Sequence, residues 1–270
     1  MHFRKAEKPM SNDFINPVRQ KLKDGKKTAG AFLQIPHGTP AEIFAQAGFD
    51  WLIIDMEHAP NDYGTLLSQL QAISGTGTVP FVRPHWNDAV AIKKILDCGA
   101  QGVLVPYVNT GEEAALAVAA CRYPPLGVRG VSGSNRAARY GMNVRNYLDS
   151  ANREILVIIA IETREAIDNL DDILAVEGLD GVFIGPMDLS ASLGHLGNPS
   201  HPEVLAAFAE IEAKVLASDK FLGTLTTTWE RTVECFDKGY QWLIVMQDGS
   251  ALVKAANEMA SKINALNASK

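Results

Sequence analysis

The sequence of 270 residues predicts a single α/β domain with the (β/α)8 barrel fold. Short β-rich apolar runs alternate with longer stretches of helical period, which is the pattern of repeated βα units around a parallel sheet. Eight such runs occur, and several end directly in ionisable residues. Eight parallel strands joined by right-handed crossovers close most simply into a barrel, whose active site lies at the carboxyl ends of the strands.

Each predicted strand is a short apolar run rich in β-branched or aromatic residues. The strands are predicted over 28–33, 51–55, 79–83, 102–105, 156–161, 181–184, 221–226 and 242–246. Helical patterns lie between or after them, for example over 63–73, 89–97, 112–121, 203–216 and 250–263.

The stretch 122–154 is rich in Gly, Arg, Ser and Asn and is predicted to be irregular. It is longer than an ordinary αβ connection, so a functional or subunit-contact role is expected. Within it, the segment 127–130 (GVRG) places Arg129 between glycines. This arginine either meets an anion or a neighbouring chain, or is an exposed arginine of a surface loop.

Composition bounds the class of protein. The apolar share of 47% and the charged share of 21% are those of a globular chain, and a net charge of −6 argues against nucleic-acid binding. No apolar run approaches the roughly 20 residues that span a bilayer, and residues 1–12 are predicted to be a mobile arm before one domain over 13–270. Cys98, Cys121 and Cys235 show neither disulfide nor zinc spacing, so a reducing cytoplasm is expected.

Two acids at strand ends are candidate metal ligands. Glu162 follows the strand over 156–161, and Asp188 follows the strand over 181–184 through Gly185-Pro186-Met187. Carboxylates without nearby Cys or HxxxH favour a hard divalent ion such as Mg²⁺ or Mn²⁺. The alternative is that Glu162 is an acid in the first turn of the next helix.

A histidine follows two acids after the strand over 51–55. Asp55, Glu57 and His58 lie within four residues, so the acids can fix the tautomer or raise the pKa of a general base at His58. A structural hydrogen bond from His58 is the alternative. Asp97 ends an apolar helical pattern and is expected to need a partner, for which His58 is a candidate, whereas an acid on the surface at a helix C-terminus is the other interpretation.

Anion-binding groups are also predicted at strand ends. Arg83 ends the strand over 79–83 and should point into the barrel mouth, either to bind a small carboxylate or oxo acid or to form a structural ion pair. The segment Gly185 to Asp188 turns a strand into a helix start, where free backbone N–H groups can hold a carboxylate.

Several longer motifs, taken in order, resemble the HpcH/HpaI family of class II pyruvate aldolases after about residue 25. They are 47–51 (AGFDW), 55–61 (DMEHAPN), 82–84 (VRP), 123–130 (YPPLGVRG), 161–163 (IET) and 176–190 (VEGLDGVFIGPMDLS). The resemblance implies a barrel of the phosphoenolpyruvate/pyruvate type whose last helix is exchanged between protomers. It also implies a homo-hexamer, a trimer of dimers, with a role in aromatic or sugar-acid catabolism.

By the same resemblance, Glu162 and Asp188 hold Mg²⁺, Mn²⁺ or Co²⁺, and Arg83 contacts the keto oxygen of pyruvate. His58 paired with Asp97 is the implied dyad that activates a metal-bound water as the base, and Asp55 belongs to the same catalytic group. The backbone from Gly185 through Pro186 and Met187 to Asp188 is implied to bind the pyruvate carboxylate. The implied reaction cleaves a 4-hydroxy-2-oxo acid into pyruvate and an aldehyde through a metal-stabilised enolate, without a Schiff-base lysine.

The sequence departs from the family pattern near the predicted site. Ala160 stands where a Gln is common, Met187 replaces a small residue, and Gln34 and Met246 are unusual at their strand ends. Two alternatives therefore stay open. One is a 2-oxo acid decarboxylase or related lyase, for example on oxaloacetate, and the other is a barrel that only binds a 2-oxo acid.

Overall fold

The computed structural model describes residues 14–268, and the predicted arm over 1–12 lies outside them. Eight parallel strands form a closed barrel in the order β1 to β8. The strands are β1 (Thr28–Leu33), β2 (Trp51–Asp55), β3 (Val79–Arg83), β4 (Gly102–Val105), β5 (Leu156–Ile161), β6 (Gly181–Ile184), β7 (Phe221–Leu225) and β8 (Trp242–Gln247). The predicted (β/α)8 fold is confirmed.

Helices surround the barrel within the described residues. They are α1 (Pro17–Lys23), α2 (Gly38–Gln46), α3 (Tyr63–Ile73), α4 (Ala89–Asp97), α5 (Gly111–Cys121), α6 (Val144–Glu154), α7 (Arg164–Asp168), α8 (Leu170–Leu174), α9 (Pro186–Ser192), α10 (Pro202–Leu216), α11 (Trp229–Asp237) and α12 (Asp248–Ala268). None of them is both long and apolar enough to cross a membrane.

The structure corrects one prediction of secondary structure. The stretch 122–154 is not irregular throughout, because its last third forms α6. Polar and charged residues dominate this helix, but Tyr147 and Ala151 on one face are buried. The mean composition of the segment therefore hid a narrow apolar face, which is enough to dock a surface helix on the barrel.

Aromatic rings fill the barrel interior, and several of these rings lie against a glycine on a neighbouring strand. A Cβ atom on Gly30 would lie 2.1 Å from the Trp51 ring, and one on Gly181 would lie 2.3 Å from the Phe221 ring. Gly102 and Gly223 make the same room for Phe81 and Trp242. Rings of Trp51 and Trp242 stack with centroids 3.9 Å apart at the centre. This packing fixes the strands, and hence the relative positions of the residues at their ends.

Helix caps set where each βα loop ends. Asp88 caps α4, Thr110 caps α5 and Thr163 caps α7, each by accepting a backbone N–H of the first turn. Since each cap stands a few residues beyond a strand end, the residues between strand and cap are held at the barrel mouth.

We expect Gly30→Ala to lower the free energy of unfolding by about 1–3 kcal/mol, because the new methyl group overlaps both the ring and the backbone carbonyl oxygen of Trp51. The matched control is Gly249→Ala, where nothing lies within 4 Å of the added Cβ. Urea unfolding of both variants measures the difference. Equal stability of the two variants would contradict this packing.

Candidate active site

The barrel mouth gathers ionisable side chains from neighbouring strand ends. Asp55 and Arg83 are the last residues of β2 and β3 and pair in the sheet register, while Glu162 directly follows β5. Asp55, Arg83 and Glu162 are buried. The barrel thus places at one end the groups that the sequence spaces over more than 100 residues.

A bidentate ion pair holds Arg83. Its Nε and Nη2 atoms donate to the Asp55 carboxylate at 2.9 and 2.8 Å, and its guanidinium carbon lies 4.6 Å from the centre of the Phe32 ring. Asp55 also accepts from the side chain of Gln34 and from the backbone N–H groups of Glu57 and His58. Burial alone would raise the pKa of Asp55, but the hydrogen bonds and charge of Arg83 outweigh it and lower that pKa.

The sequence allowed Arg83 either to bind a small acid or to form a structural ion pair, and the contact with Asp55 is such an ion pair. The pair uses only some of the five N–H donors of the guanidinium, so other N–H groups of Arg83 can bind a ligand in the mouth. In contrast, both oxygens of Asp55 already accept hydrogen bonds within the protein. We therefore assign Asp55 a positioning role.

Glu57 and His58 lie beside this pair. A Glu57 oxygen is 3.1 Å from Arg83 Nη1 and 3.7 Å from His58 Nε2. The His58 side chain is 53% exposed, so its ring can reach solvent and a ligand in the mouth. Desolvation, partly offset by Arg83, raises the pKa of Glu57 to about 7.

Glu162 is set into the barrel wall rather than into a helix. Thr163 caps α7 after it, which rules out the alternative that Glu162 is a first-turn acid. The absence of a side chain on Gly185 makes room for the carboxylate, since a Cβ there would lie 2.4 Å from Glu162 Oε1. Burial, together with the charges of Glu57 and Asp188, raises the pKa of Glu162 to about 7, although a hydrogen bond from Tyr107 N opposes this.

The segment 185–188 offers fewer backbone donors than its sequence suggests. The N–H of Gly185 donates to the Ile161 carbonyl, and Pro186 has none. The N–H groups of Met187 and Asp188 remain, in the first turn of α9. Asp188 is half-buried, and its Oδ1 lies 3.4 Å from the hydroxyl of Tyr107.

Asp97 is not brought to His58 within one protomer. It ends α4, and Gln101, four residues later, bonds to Pro80 near the start of β3. Helices of βα units run back along the barrel, and the nine residues of α4 carry Asp97 about 13 Å from the mouth. The contacts of Asp97 and His58 within one chain are with other residues, and their pairing stays a prediction.

The partner of Asp97 is Arg129. Arg129 Nη2 donates to Asp97 at 2.7 Å and to the Tyr147 hydroxyl at 3.0 Å, and its guanidinium lies 4.5 Å from the centre of the Tyr123 ring. The arginine is buried. The interpretation of Arg129 as an exposed loop residue is therefore wrong, and the anionic group that it meets is a carboxylate of the same chain.

The four departures from the family pattern lie in different surroundings. Ala160 is buried in the barrel interior, and the Gln34 amide donates to Asp55 beside Arg83. Met187 and Met246 are exposed by 52% and 43%. The exposed pair stands on the rim, where a second substrate would enter.

A second group of donors lies outside the mouth. His195, His201 and Glu203 have possible metal-ligating atoms within 4.8 Å of one another. His195 already bonds to Glu203 at 2.6 Å, and His201 caps α10. These hydrogen bonds stabilise the start of α10, which accounts for the cluster. None of its members is a predicted site residue.

Two residues of the mouth were not predicted as site residues. Glu57 stands in the same motif as Asp55 and His58, so its position two residues after a strand was an available signal. Tyr107 follows β4 after Pro106 and contacts both Glu162 and Asp188. An uncharged residue at that position gave no such signal.

Comparison with known proteins identifies the family of the chain. The family model for HpcH/HpaI aldolase/citrate lyase matches residues 28–255. The chain belongs to this family. A pyruvate aldolase of Rhizobium etli is 46% identical over 92% of this chain and 97% of its own. A 4-hydroxy-2-oxo-heptane-1,7-dioate aldolase of Escherichia coli is 46% identical over 93% and 95%.

Solved structures show the same fold. An HpcH/HpaI aldolase/citrate lyase family protein from Burkholderia cenocepacia has a TM-score of 0.88 and 37% identity, covering 92% of this chain and 99% of its own. With its family and these relatives, the chain is an enzyme with aldolase activity.

The mouth of this HpcH/HpaI aldolase fits a divalent cation. Beside burial, the charge of Asp188 helps to raise the pKa values of Glu57 and Glu162, and the buried Glu57 oxygen that lies 3.1 Å from Arg83 Nη1 makes no hydrogen bond. Gly185 leaves the space that the Glu162 carboxylate occupies. Carboxylates converging without soft ligands suit Mg²⁺ or Mn²⁺.

We expect metal binding to release protons below pH 7. At pH 6 a Glu162 carboxyl with a pKa of about 7 is mostly protonated, and it must ionise to bind the ion. Affinity for Mn²⁺ should therefore be about tenfold weaker at pH 6 than at pH 8. Calorimetry in buffers of different ionisation enthalpy should detect the release of about one proton per bound ion at pH 6 and almost none at pH 8.

The control for this titration is Glu57→Gln, which removes the other carboxyl with a pKa of about 7. Proton release that persists in this variant belongs to Glu162. Equal Mn²⁺ affinity at both pH values in the wild type would contradict the raised pKa.

Proposed function

We propose that this aldolase reversibly cleaves a 4-hydroxy-2-oxo acid into pyruvate and an aldehyde at the barrel mouth. The observation that carries the proposal is the arrangement of Glu162 and Asp188 around a guanidinium, Arg83, whose orientation is fixed by Asp55. A 2-oxo acid matches this arrangement, because it has two adjacent oxygens for a cation and negative charge for an arginine.

Glu162 and Asp188 are the proposed ligands of a divalent cation, with Mg²⁺ and Mn²⁺ as the preferred ions. When bound, the cation acts as a Lewis acid that stabilises negative charge on the 2-oxo group. The protein's contribution is to hold the two carboxylates in place, one by its setting against Gly185 and the other in the first turn of α9.

Substrate contacts are assigned to groups that keep free donors. The remaining N–H groups of Arg83 face the keto oxygen, and the backbone N–H groups of Met187 and Asp188 face the pyruvate carboxylate. Met187 and Met246 are placed to contact the aldehyde portion on the rim.

His58 is the proposed base. In the cleavage direction it accepts the proton of the 4-hydroxyl group as the C3–C4 bond breaks and the C4 carbonyl forms. The electron pair of that bond passes to C3 as the enolate, which takes the proton back from the protonated His58 ring to become the pyruvate methyl group. Glu57 lies 3.7 Å from His58 Nε2, beside the ring that takes part in the proton transfer.

A role for Asp97 beside His58 requires a second copy of the chain. Asp97 lies at the far end of α4 from the mouth, where it is bonded to Arg129. Helix α12 also supports assembly. From Leu252 onward its described residues are exposed, including Leu252, Ile263 and Leu266 at 52–68%. We propose that α12 packs on a neighbouring protomer in a homo-oligomer, with a hexamer as the expected state.

A cytoplasmic location remains a prediction. Cys98, Cys121 and Cys235 are free thiols in the structure.

The first test is exchange of deuterium into the methyl group of pyruvate, followed by NMR. We expect exchange by the wild type that needs added Mg²⁺ or Mn²⁺, and a loss of about 100-fold or more in His58→Ala, because that variant lacks the base. The matched control is His195→Ala, which removes a histidine outside the mouth and should exchange at the wild-type rate.

Cleavage of 4-hydroxy-2-oxo acids with analysis of both products completes this test. Pyruvate and an aldehyde in equal amounts support the proposal. Release of CO₂ from oxaloacetate without any aldehyde product would favour the decarboxylase, and exchange that proceeds after exhaustive metal removal would overturn the metal role.

The placement of Asp97 predicts complementation between two inactive variants. His58→Ala and Asp97→Asn should each be nearly inactive alone. After co-expression with different tags, mixed oligomers contain sites with His58 from one chain and Asp97 from another, so about one quarter of wild-type activity should return for random pairs. No recovery in purified mixed oligomers, or full activity of Asp97→Asn, would contradict a site shared between copies.

A further inference from the structure

Tyr107 has an unusual backbone conformation at the barrel mouth. It is one of three described residues other than glycine with positive φ, at 52°. This left-handed region is costly for a bulky side chain and is maintained only where surrounding contacts enforce it.

The contacts that enforce it lead to both proposed metal ligands. The backbone N–H of Tyr107 donates to Glu162 Oε2 at 3.0 Å, and its hydroxyl lies 3.4 Å from Asp188 Oδ1. In an extended conformation the peptide N–H and the side chain would leave the chain in other directions. The left-handed turn therefore lets one residue reach acids that follow two other strands, β5 and β6.

Neighbouring side chains hold Tyr107 in this position. Its ring stacks on that of Trp86, with centroids 5.7 Å apart and planes inclined by 25°. Its carbonyl accepts a hydrogen bond from the Asn109 side chain at 3.3 Å. The peptide groups on both sides of the residue and its ring are thus all fixed.

We propose that Tyr107 is a positioning residue of the metal pair, which sets Glu162 with its backbone N–H and Asp188 with its hydroxyl. The inference rests on the proposed function, in which these acids hold the cation. The hydroxyl directs one oxygen of Asp188, so the other oxygen is the one presented to the ion. Neither the family motif nor the strand-end rule for ionisable residues assigns this role.

The chemistry of the phenol agrees with a permanent donor. A tyrosine hydroxyl has an ordinary pKa of about 10, so it carries its proton at neutral pH and can donate to a carboxylate. A hydroxyl that stays protonated orients a carboxylate without competing for the cation.

The test is the affinity of the full-length protein for Mn²⁺, measured by the EPR signal of free Mn²⁺, in Tyr107→Phe. This variant keeps the ring on Trp86 and removes only the hydroxyl. We expect a dissociation constant about tenfold higher, as is usual for loss of a group that orients a metal ligand. The melting temperature of the metal-free protein should stay within about 2 °C of wild type, which separates positioning from folding.

The matched control is Tyr140→Phe, a second tyrosine with a left-handed backbone, at φ 55° in an exposed loop. Its Mn²⁺ affinity should equal that of the wild type. A second pair, Tyr107→Gly and Tyr107→Ala, tests the backbone. Both lose the ring, but glycine adopts φ 52° without strain, so Tyr107→Gly should melt several degrees higher than Tyr107→Ala.

The outcomes separate the inference from the function on which it rests. Wild-type Mn²⁺ binding that disappears in Glu162→Gln but is unchanged in Tyr107→Phe would overturn the inference and leave the metal site intact. Absence of Mn²⁺ binding by the wild type would overturn the proposed function itself. Weaker binding in Tyr107→Phe, with unchanged affinity in Tyr140→Phe, supports both.

Discussion

The buried pair between Asp55 and Arg83 is the interaction on which the barrel mouth depends. One carboxylate joins the ends of β2 and β3, receives the amide of Gln34 from the end of β1, and anchors the backbone at Glu57 and His58. Removing one partner of such a pair leaves an uncompensated buried charge, which costs about 3–5 kcal/mol. Arg83 and His58 therefore share a single anchor, and a change at Asp55 would disturb both.

Acidic charge makes the same mouth unfavourable without a ligand. Glu57 and Glu162 have pKa values near 7 because they are desolvated and lie close to other carboxylates, while Arg83 is largely committed to Asp55. A divalent cation at the proposed site would relieve this repulsion, and the repulsion would thereby favour its binding. The barrel below the mouth is stable enough to tolerate this repulsion. Its interior is filled by rings such as the stacked Trp51 and Trp242, for which the strand glycines make room.

Most of the fold and part of the site could be predicted from the sequence, for reasons visible in particular residues. Buried parallel strands are continuous apolar runs, so all eight could be recognised, and Asp55, Arg83 and Glu162 stood out as charges at their ends. Arg129 could not be placed, because glycines around an arginine look exposed, and its burial depends on Tyr123, Tyr147 and Asp97 from distant segments. Tyr107 was not predicted as a site residue, because its proposed role depends on a backbone angle and an uncharged hydroxyl.

The direction of the helices explains why Asp97 and His58 cannot be understood from one chain. Every βα unit delivers its loop residues to the mouth and the end of its helix to the opposite face, so one barrel presents His58 at one end and Asp97 at the other. Arg129, enclosed by tyrosine rings, fixes the Asp97 carboxylate at that second face. Under the proposed function, this carboxylate reaches the chemistry only when another copy's mouth meets it. The proposed assembly would then complete the site, and α12, with its exposed apolar residues, is the described element best suited to join the copies.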